Sequence, residues 1–270
     1  MKKTVLDAND VKRLAPFMKN DKVINALLKW LHITDANELH SANCDKRGAD
    51  FTDAIINGVD VKLEIENEDI LKNLPEGAFV ALSNHPFGAF DGMIIISLFA
   101  RYRPEFKVMV NQFLTYIGAM CDNFIAVEPV SNSEKARAVS MNGIRTAMKH
   151  VRDGNPIGFF PAGAVSKLKP NLTTEDREWQ PNIIRLVKQF KKPVIPVYFY
   201  GRNSLMFYFL RSINYLLSSA RLPTEIFRKR GETVRVALGK PIMPEEYAHI
   251  EDIEELGKFF KSKTYELKKA

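Results

Sequence analysis

An α/β domain built around a mixed, mostly parallel sheet is the fold class this sequence predicts, and three observations carry it. Short apolar runs of strand length alternate with longer segments of helical periodicity along most of the chain. One run, residues 78–83, is apolar almost throughout, the pattern of a central strand buried on both faces. Turn chemistry such as Leu74-Pro75-Glu76-Gly77 separates the units. With 46% hydrophobic residues, the 270-residue chain can bury one sizeable core.

Residues 10–32 place Val11, Leu14 and Phe17, then Val23, Leu27, Leu28 and Leu31, at helical spacing with lysines between them. A pair of short amphipathic helices follows from that pattern. The second carries Trp30 beside Lys22 and Lys29, which fits either packing on the main domain or a helix lying in a membrane interface. Residues 1–50 are therefore set apart as an N-terminal helical extension, and residues 51–270 as the main domain. Alternation at Val59, Val61, Leu63 and Ile65 predicts a half-buried strand over residues 58–66. After the strand at 78–83 come a helix over 88–100, strands at 106–110 and 124–127, and a helix over 133–151 with a basic outer face. A strand over 156–160 ends in a sharp loop. A helix at 182–190, a strand at 194–200, an apolar segment over 205–222 and a strand at 233–239 complete the alternation. No repeat or low-complexity linker marks a further domain.

Composition excludes several classes. The formal charge of +7 suits an anionic partner but does not choose among nucleic acid, anionic lipid and a phosphorylated molecule. The aromatic and basic signature of nucleic-acid binding is missing, so no nucleic-acid partner is expected. The C-terminal lysines 258, 261, 263, 268 and 269 read as a solvated basic helix. Cys44 and Cys121 lie in no ligand or redox pattern and are expected to be free thiols. His32, His40 and Cys44 lack zinc spacing, so no metal site is expected. The glycines of Gly158-x4-Gly163 are followed by Ala164-Val165 where a nucleotide-binding loop needs lysine and a hydroxyl. No GxSxG elbow is present. The N-terminus has no apolar region of signal-peptide type, and no run reaches the roughly 18 apolar residues of a membrane span. A cytoplasmic protein, peripheral on the inner face of the membrane, is expected.

Chemistry concentrates in Ser83-Asn84-His85-Pro86-Phe87-Gly88-Ala89-Phe90-Asp91-Gly92, a Gly/Pro loop at the end of the buried strand. In open α/β sheets ligands bind at that end of the strands. A neutral imidazole can take a proton from a hydroxyl near pH 7. A carboxylate on its other nitrogen fixes the tautomer and stabilises the imidazolium that forms. His85 and Asp91 are the candidate catalytic pair.

This loop, together with Phe159-Phe160-Pro161-Ala162-Gly163, Val194-Ile195-Pro196-Val197 and Leu238-Gly239-Lys240-Pro241-Ile242, resembles the sequence blocks of the glycerol-phosphate and lysophospholipid acyltransferase family, over roughly residues 75–240. The loop itself is similar to the NHPxGxxDG branch that includes hemolysin-like members. The resemblance implies an O-acyltransferase. His85 is the base that deprotonates the acceptor hydroxyl, Asp91 orients it, and the hydroxyl attacks the thioester of acyl-CoA or acyl carrier protein. It implies substrate-binding roles for Asn84, Gly88, Pro161, Gly163, Ser166 and Pro196, with amides around Gly163 offered to an oxyanion or phosphate. It implies no metal and no cofactor beyond the acyl thioester co-substrate.

The departures are informative. His85 and Asp91 are separated by one residue more than the family's usual four, Ala162 stands where that family has glutamate, and no arginine occurs in residues 124–129. Without those groups the chain lacks donors suited to a phosphate headgroup. The expected acceptor is a lyso-aminolipid of the glycine- or ornithine-lipid kind, with Lys167 or Arg202 pairing with its carboxylate. The expected partners are a lysolipid, an acyl thioester, acyl carrier protein and an anionic membrane surface. Residues 205–210 and the Tyr/Arg-containing stretch after them fit an acyl tunnel, a lipid-dipping surface or a core helix. A catalytically silent lipid-binding protein on the same scaffold is the alternative function.

Overall fold

The computed structural model describes residues 3–116, 118–128 and 133–269. Four helices come first: α1 (Ala8–Leu14), α2 (Asp21–Trp30), α3 (Ile33–Ser41) and α4 (Gly48–Gly58). Then follow β1 (Lys62–Glu66), α5 (Asp69–Lys72), β2 (Val80–Ser83), α6 (Ala89–Ala100), β3 (Lys107–Asn111), β4 (Phe124–Val127), α7 (Glu134–Arg152) and β5 (Ile157–Phe159). A small ribbon of β6 (Lys167–Leu168) and β7 (Thr174–Glu175) precedes α8 (Pro181–Phe190) and β8 (Val194–Phe199). The chain ends with α9 (Leu205–Ile213), α10 (Tyr215–Ala220), α11 (Leu222–Phe227), β9 (Thr233–Leu238), α12 (Pro244–Tyr247) and α13 (Ile253–Glu266).

Seven strands form one sheet in the order β1-β9-β8-β2-β5-β3-β4. Every neighbouring pair is parallel except β8 and β9. The expected mixed, mostly parallel sheet flanked by helices is therefore present, with β2 at its centre. All four residues of β2 are buried. Alternate side chains of the strand and the residue before it feed two cores: Phe79 and Ala81 pack with α4 and α6 on one face, Val80 and Leu82 with α8 and α13 on the other.

Helix α6 covers one face of the sheet. Every residue from Phe90 to Ala100 is buried, as expected for a helix apolar all round that must be covered on every side. Helix α4 provides that cover through Phe51, Ile55 and Ile56.

The expected N-terminal pair is α1 and α2, and the segment continues into α3 and α4, which the apolar spacing did not single out. Ile24, Leu28, Leu31 and Ile33 form a small apolar cluster of their own. Trp30 is 62% exposed, so α2 packs through Ile24 and Leu28 and leaves the tryptophan outside. The strand expected from residue 58 begins only at Lys62, because Gly58 closes α4 and Asp60 takes a left-handed φ of 59° in the turn.

Candidate active site

Strands β5, β2 and β8 lie side by side and run in the same direction, so their C-terminal loops emerge together at one edge of the sheet. Those loops contain residues 84–88, 160–166 and 200–204. Three sequence blocks more than a hundred residues apart from end to end become one site by strand adjacency.

At the centre, His85 Nδ1 lies 2.9 Å from Asp91 Oδ2. The extra residue between them is absorbed in the loop before α6, where Gly88 turns the chain with φ of 83°. Asp91 thereby occupies the first turn of α6 and also accepts the N–H groups of Phe87 at 2.9 Å and Gly88 at 3.0 Å. That tie fixes its distance to the histidine. Asp91 is fully buried, and burial pushes its carboxyl above the usual carboxylate range, opposed by His85 and the two amides. The imidazole is less enclosed, and it stacks on Phe160 with ring centroids 4.2 Å apart. With Nδ1 turned to the carboxylate, Nε2 is left as the acceptor for a substrate proton.

A second buried carboxylate, which the sequence reading missed, sets the backbone of the histidine. Asp176 Oδ1 accepts the His85 N–H at 3.2 Å and the Ser166 hydroxyl at 2.6 Å, while its Oδ2 accepts the Trp179 indole N–H at 3.0 Å. Ser166 returns its own N–H to the His85 carbonyl at 2.8 Å. Burial raises the Asp176 carboxyl, and the Ser166 and Trp179 hydrogen bonds oppose that shift. From behind, the Tyr265 hydroxyl accepts the Asp176 N–H at 2.7 Å and Lys261 donates to its carbonyl at 2.9 Å. Part of the basic C-terminal helix is therefore structural rather than merely solvated. Asp176 lies in a polar stretch without periodicity, and only its pairing with Ser166 across the β6–β7 turn reveals it.

The remaining expected residues divide by position. Asn84 is 2% exposed, and its amide both donates to the Phe199 carbonyl at 2.9 Å and accepts the Phe199 N–H at 2.7 Å. It clamps β8 to β2. Pro196 is buried inside β8, with Gly239 against its ring, which places it in the sheet rather than in the loop cluster. Pro161 is buried, and its carbonyl accepts the Gln180 N–H. Gly163 has φ of 63°, a turn conformation, and its N–H is spent on the Phe160 carbonyl at 3.0 Å. That donor already closes the turn. Gly88 and Ser166 stand in the first ring around the dyad, as described. Lys167 is exposed on the β6–β7 ribbon.

Arg202 lies on the loop after β8 and lines an open cleft of about 540 Å³ together with Asn203, Ser204, Glu225, Arg228 and Lys229. That loop is held by Glu225, whose carboxylate accepts both the N–H and the hydroxyl of Ser204 at 2.7 Å and pairs with Arg221 at 2.9 Å. Lys229, also unforeseen, is buried with its Nζ 3.9 Å above the Phe87 ring centroid and donates to the Arg202 carbonyl at 3.3 Å. Burial lowers its pKa.

Comparison with known proteins places the chain among acyltransferases. The chain is 29% identical over 228 residues to a lyso-glycine lipid O-acyltransferase of Bacteroides thetaiotaomicron, covering 82% of this chain and 80% of the relative. It is 26% identical over 253 residues to a lyso-glycine lipid O-acyltransferase of Phocaeicola vulgatus, covering 91% and 87%. The fold is similar to the crystal structure of the 1-acyl-sn-glycerophosphate acyltransferase PlsC from Thermotoga maritima, with a TM-score of 0.51 at 14% identity over 91% of this chain and 88% of that one. The sequence model of an acyltransferase family matches residues 11–270. A match that spans the sheet, the His85 loop and the strands beside it, on an α/β scaffold shared with a solved acyltransferase, makes this chain a member of that acyltransferase family.

Proposed function

We propose that the protein transfers an acyl chain from a thioester, acyl-CoA or acyl carrier protein, to the hydroxyl of a lyso-aminolipid. The observation that carries the reading is the His85–Asp91 pair, 2.9 Å apart and fixed by backbone hydrogen bonds at the C-terminal edge of the central strand. His85 Nε2 takes the acceptor's proton as the hydroxyl oxygen attacks the thioester carbon. The tetrahedral intermediate then expels the thiolate, which takes the proton back from the imidazolium, leaving an ester and a thiol. Asp91 favours the imidazolium in between. The relatives named lyso-glycine lipid O-acyltransferases support an aminolipid acceptor.

Among the described residues no helix is long and apolar enough to cross a membrane. Access to lipid is assigned to α9 and α10, where Leu205, Met206, Phe209, Ile213, Leu216 and Leu217 are each about half exposed or more. Basic groups at Arg202 and Arg228 beside this face suit an anionic surface.

The test is incubation of the purified protein with labelled acyl-CoA and acyl carrier protein thioesters against a panel of lysolipids, with His85→Ala in parallel. Transfer to a lyso-aminolipid is expected, reduced about a hundred- to ten-thousandfold by the substitution. A clear preference for lysophosphatidic acid would overturn the acceptor. Liposome binding without any transfer would favour the silent lipid-binding alternative.

A further inference from the structure

The outer face of α7 carries a pattern that the chemistry at His85 does not use. The helix packs on β4 and β5 with Ala136, Gly143, Ala147 and Val151 buried. At Gly143 a side chain would run into the Ala126 carbonyl, so the helix lies close against β4 and is held there. On the opposite side Arg137, Met141, Ile144, Met148 and Arg152 recur every three or four residues and form one stripe. Its three apolar members are 54%, 39% and 47% exposed, and Arg145 stands next to Ile144.

The charges on this helix are one-sided. It holds five cations, Lys135, Arg137, Arg145, Lys149 and Arg152, and one acid, Glu134. A merely solvated helix gains by pairing opposite charges three or four residues apart. Here Lys149 pairs with Asp153 and Arg152 lies within electrostatic reach of the same carboxylate, whereas Lys135, Arg137 and Arg145 form no ion pair among the described residues. An exposed apolar strip rimmed by unpaired cations has the anatomy of an interface for an acidic partner. Methionine and arginine are enriched in such interfaces, and the unbranched methionine repacks to suit what it meets.

Position selects a protein over a lipid surface. Ala147 and Val151 join the core of Val80 and Leu82, whereas α11, which follows α9 and α10, sends Ile226 and Phe227 to the core of Phe79 and Ala81. The stripe and the helices assigned to lipid therefore belong to opposite faces of the sheet. Helix α7 also has no Trp, Tyr or Phe, and Trp and Tyr are the residues that anchor a segment at a membrane interface. Its start nevertheless lies at the catalytic edge, because β4 runs parallel to β3, β5 and β2 and the helix begins beyond its C-terminal end. β4 is three strands from β2, a separation of about 14 Å at about 4.8 Å per strand. A partner seated on α7 has to send only the end of a flexible arm to the dyad.

Resting on the acyl-transfer reading above, we infer that the α7 face docks the thioester donor as an acidic acyl carrier protein. Met141, Ile144 and Met148 meet an apolar strip of the carrier, and Arg137 and Arg145 meet its carboxylates. The pantetheine arm reaches His85 from the β4 side, which leaves the α9–α10 face to lipid.

The experiment measures equilibrium binding of a holo acyl carrier protein, and turnover with one acyl chain carried either by that protein or by CoA. The variants are Arg137→Glu with Arg145→Glu, Arg137→Lys with Arg145→Lys, and Met141→Ala. Charge reversal is expected to weaken carrier binding and raise the KM for the carrier-bound donor about tenfold or more, the effect of like charges set against each other across an interface. The KM for acyl-CoA, kcat with either donor and the melting temperature stay unchanged. The lysine pair keeps most of the affinity, and Met141→Ala loses about fivefold.

The inference is overturned by wild-type protein that neither binds the carrier nor uses it as donor, or by a charge reversal that leaves carrier binding unchanged or raises the KM for both donors alike. A reversal that reduces only sedimentation with anionic vesicles also overturns it and makes this face a lipid surface. Transfer from acyl-CoA without carrier binding leaves the acyltransferase reading standing. Carrier binding that is lost on charge reversal, with no transfer from either donor, sinks that reading and leaves the docking face standing.

Discussion

Two buried carboxylates stand beside His85 and do different work. Asp91 meets the imidazole, whereas Asp176 meets the backbone N–H of the same residue and ties it to Ser166 and Trp179. Asp176→Ala would leave three donors without an acceptor in a closed space, each at about 1–3 kcal/mol. The expected result is a loss of about 3 kcal/mol or more in a denaturant titration, together with reduced turnover because the loop bearing His85 loses its anchor. A variant as stable and active as wild type would show that this tie does not set the histidine. Asp91 could be named from the sequence because it lies on the same loop as His85. Asp176 could not, because 91 residues separate it from the group it holds.

At the scale of the element, α9 and α10 remove one of the readings that apolar content alone left open. Residues 205–210 suit a core helix, a tunnel or a lipid surface equally well by composition. In the structure Phe207 is the one fully buried apolar side chain of α9, while Leu205, Met206, Phe209 and Ile213 face outward. Scattered exposed apolar residues are ordinary, but a contiguous group over two adjacent helices marks an interaction surface. The double substitution Phe209→Asp with Leu216→Asp is expected to reduce co-sedimentation with anionic vesicles about tenfold or more, since each carboxylate would have to enter apolar lipid. The melting temperature should hold, because Phe209 is 59% and Leu216 71% exposed. Unchanged sedimentation would rule this face out as a membrane-binding surface. The loop before α6 teaches a related lesson: the added residue between His85 and Asp91 looks like a mismatch in spacing, and the left-handed turn at Gly88 removes it.

Across the whole molecule, the two apolar layers that hold the sheet are closed by polar ties at their edges. One of these carries a pH dependence. His150, in the last turn of α7, is buried, with Nε2 3.1 Å from the Pro156 carbonyl at the entry to β5. Burial lowers its pKa below the ordinary 6.5. As pH falls, the unfolded chain takes up this proton before the folded one does. The stabilisation is therefore complete above about 6.5 and is lost as pH falls from there through the folded value. His150→Gln keeps a donor for Pro156 without the titration. Its melting temperature should fall less than that of wild type between about pH 7.5 and about 5.5, a difference that equal slopes would contradict.

The alternation of strands and helices, the centrality of residues 78–83 and the pairing of His85 with Asp91 are all consequences of local sequence. Buried strands must be apolar on both faces, and a histidine and an aspartate on one short loop have few places to go. That alone determined the fold class and brought the two side chains together. Tertiary structure decided which donors are already spent and which remain open: the Asn84 amide and the Gly163 N–H are consumed by backbone, while the buried Asn203 carboxamide is bonded to nothing among the described residues. The physical reason is that hydrogen-bond satisfaction depends on what the sheet brings alongside each loop. Parallel crossovers bring together residues that are far apart in the chain.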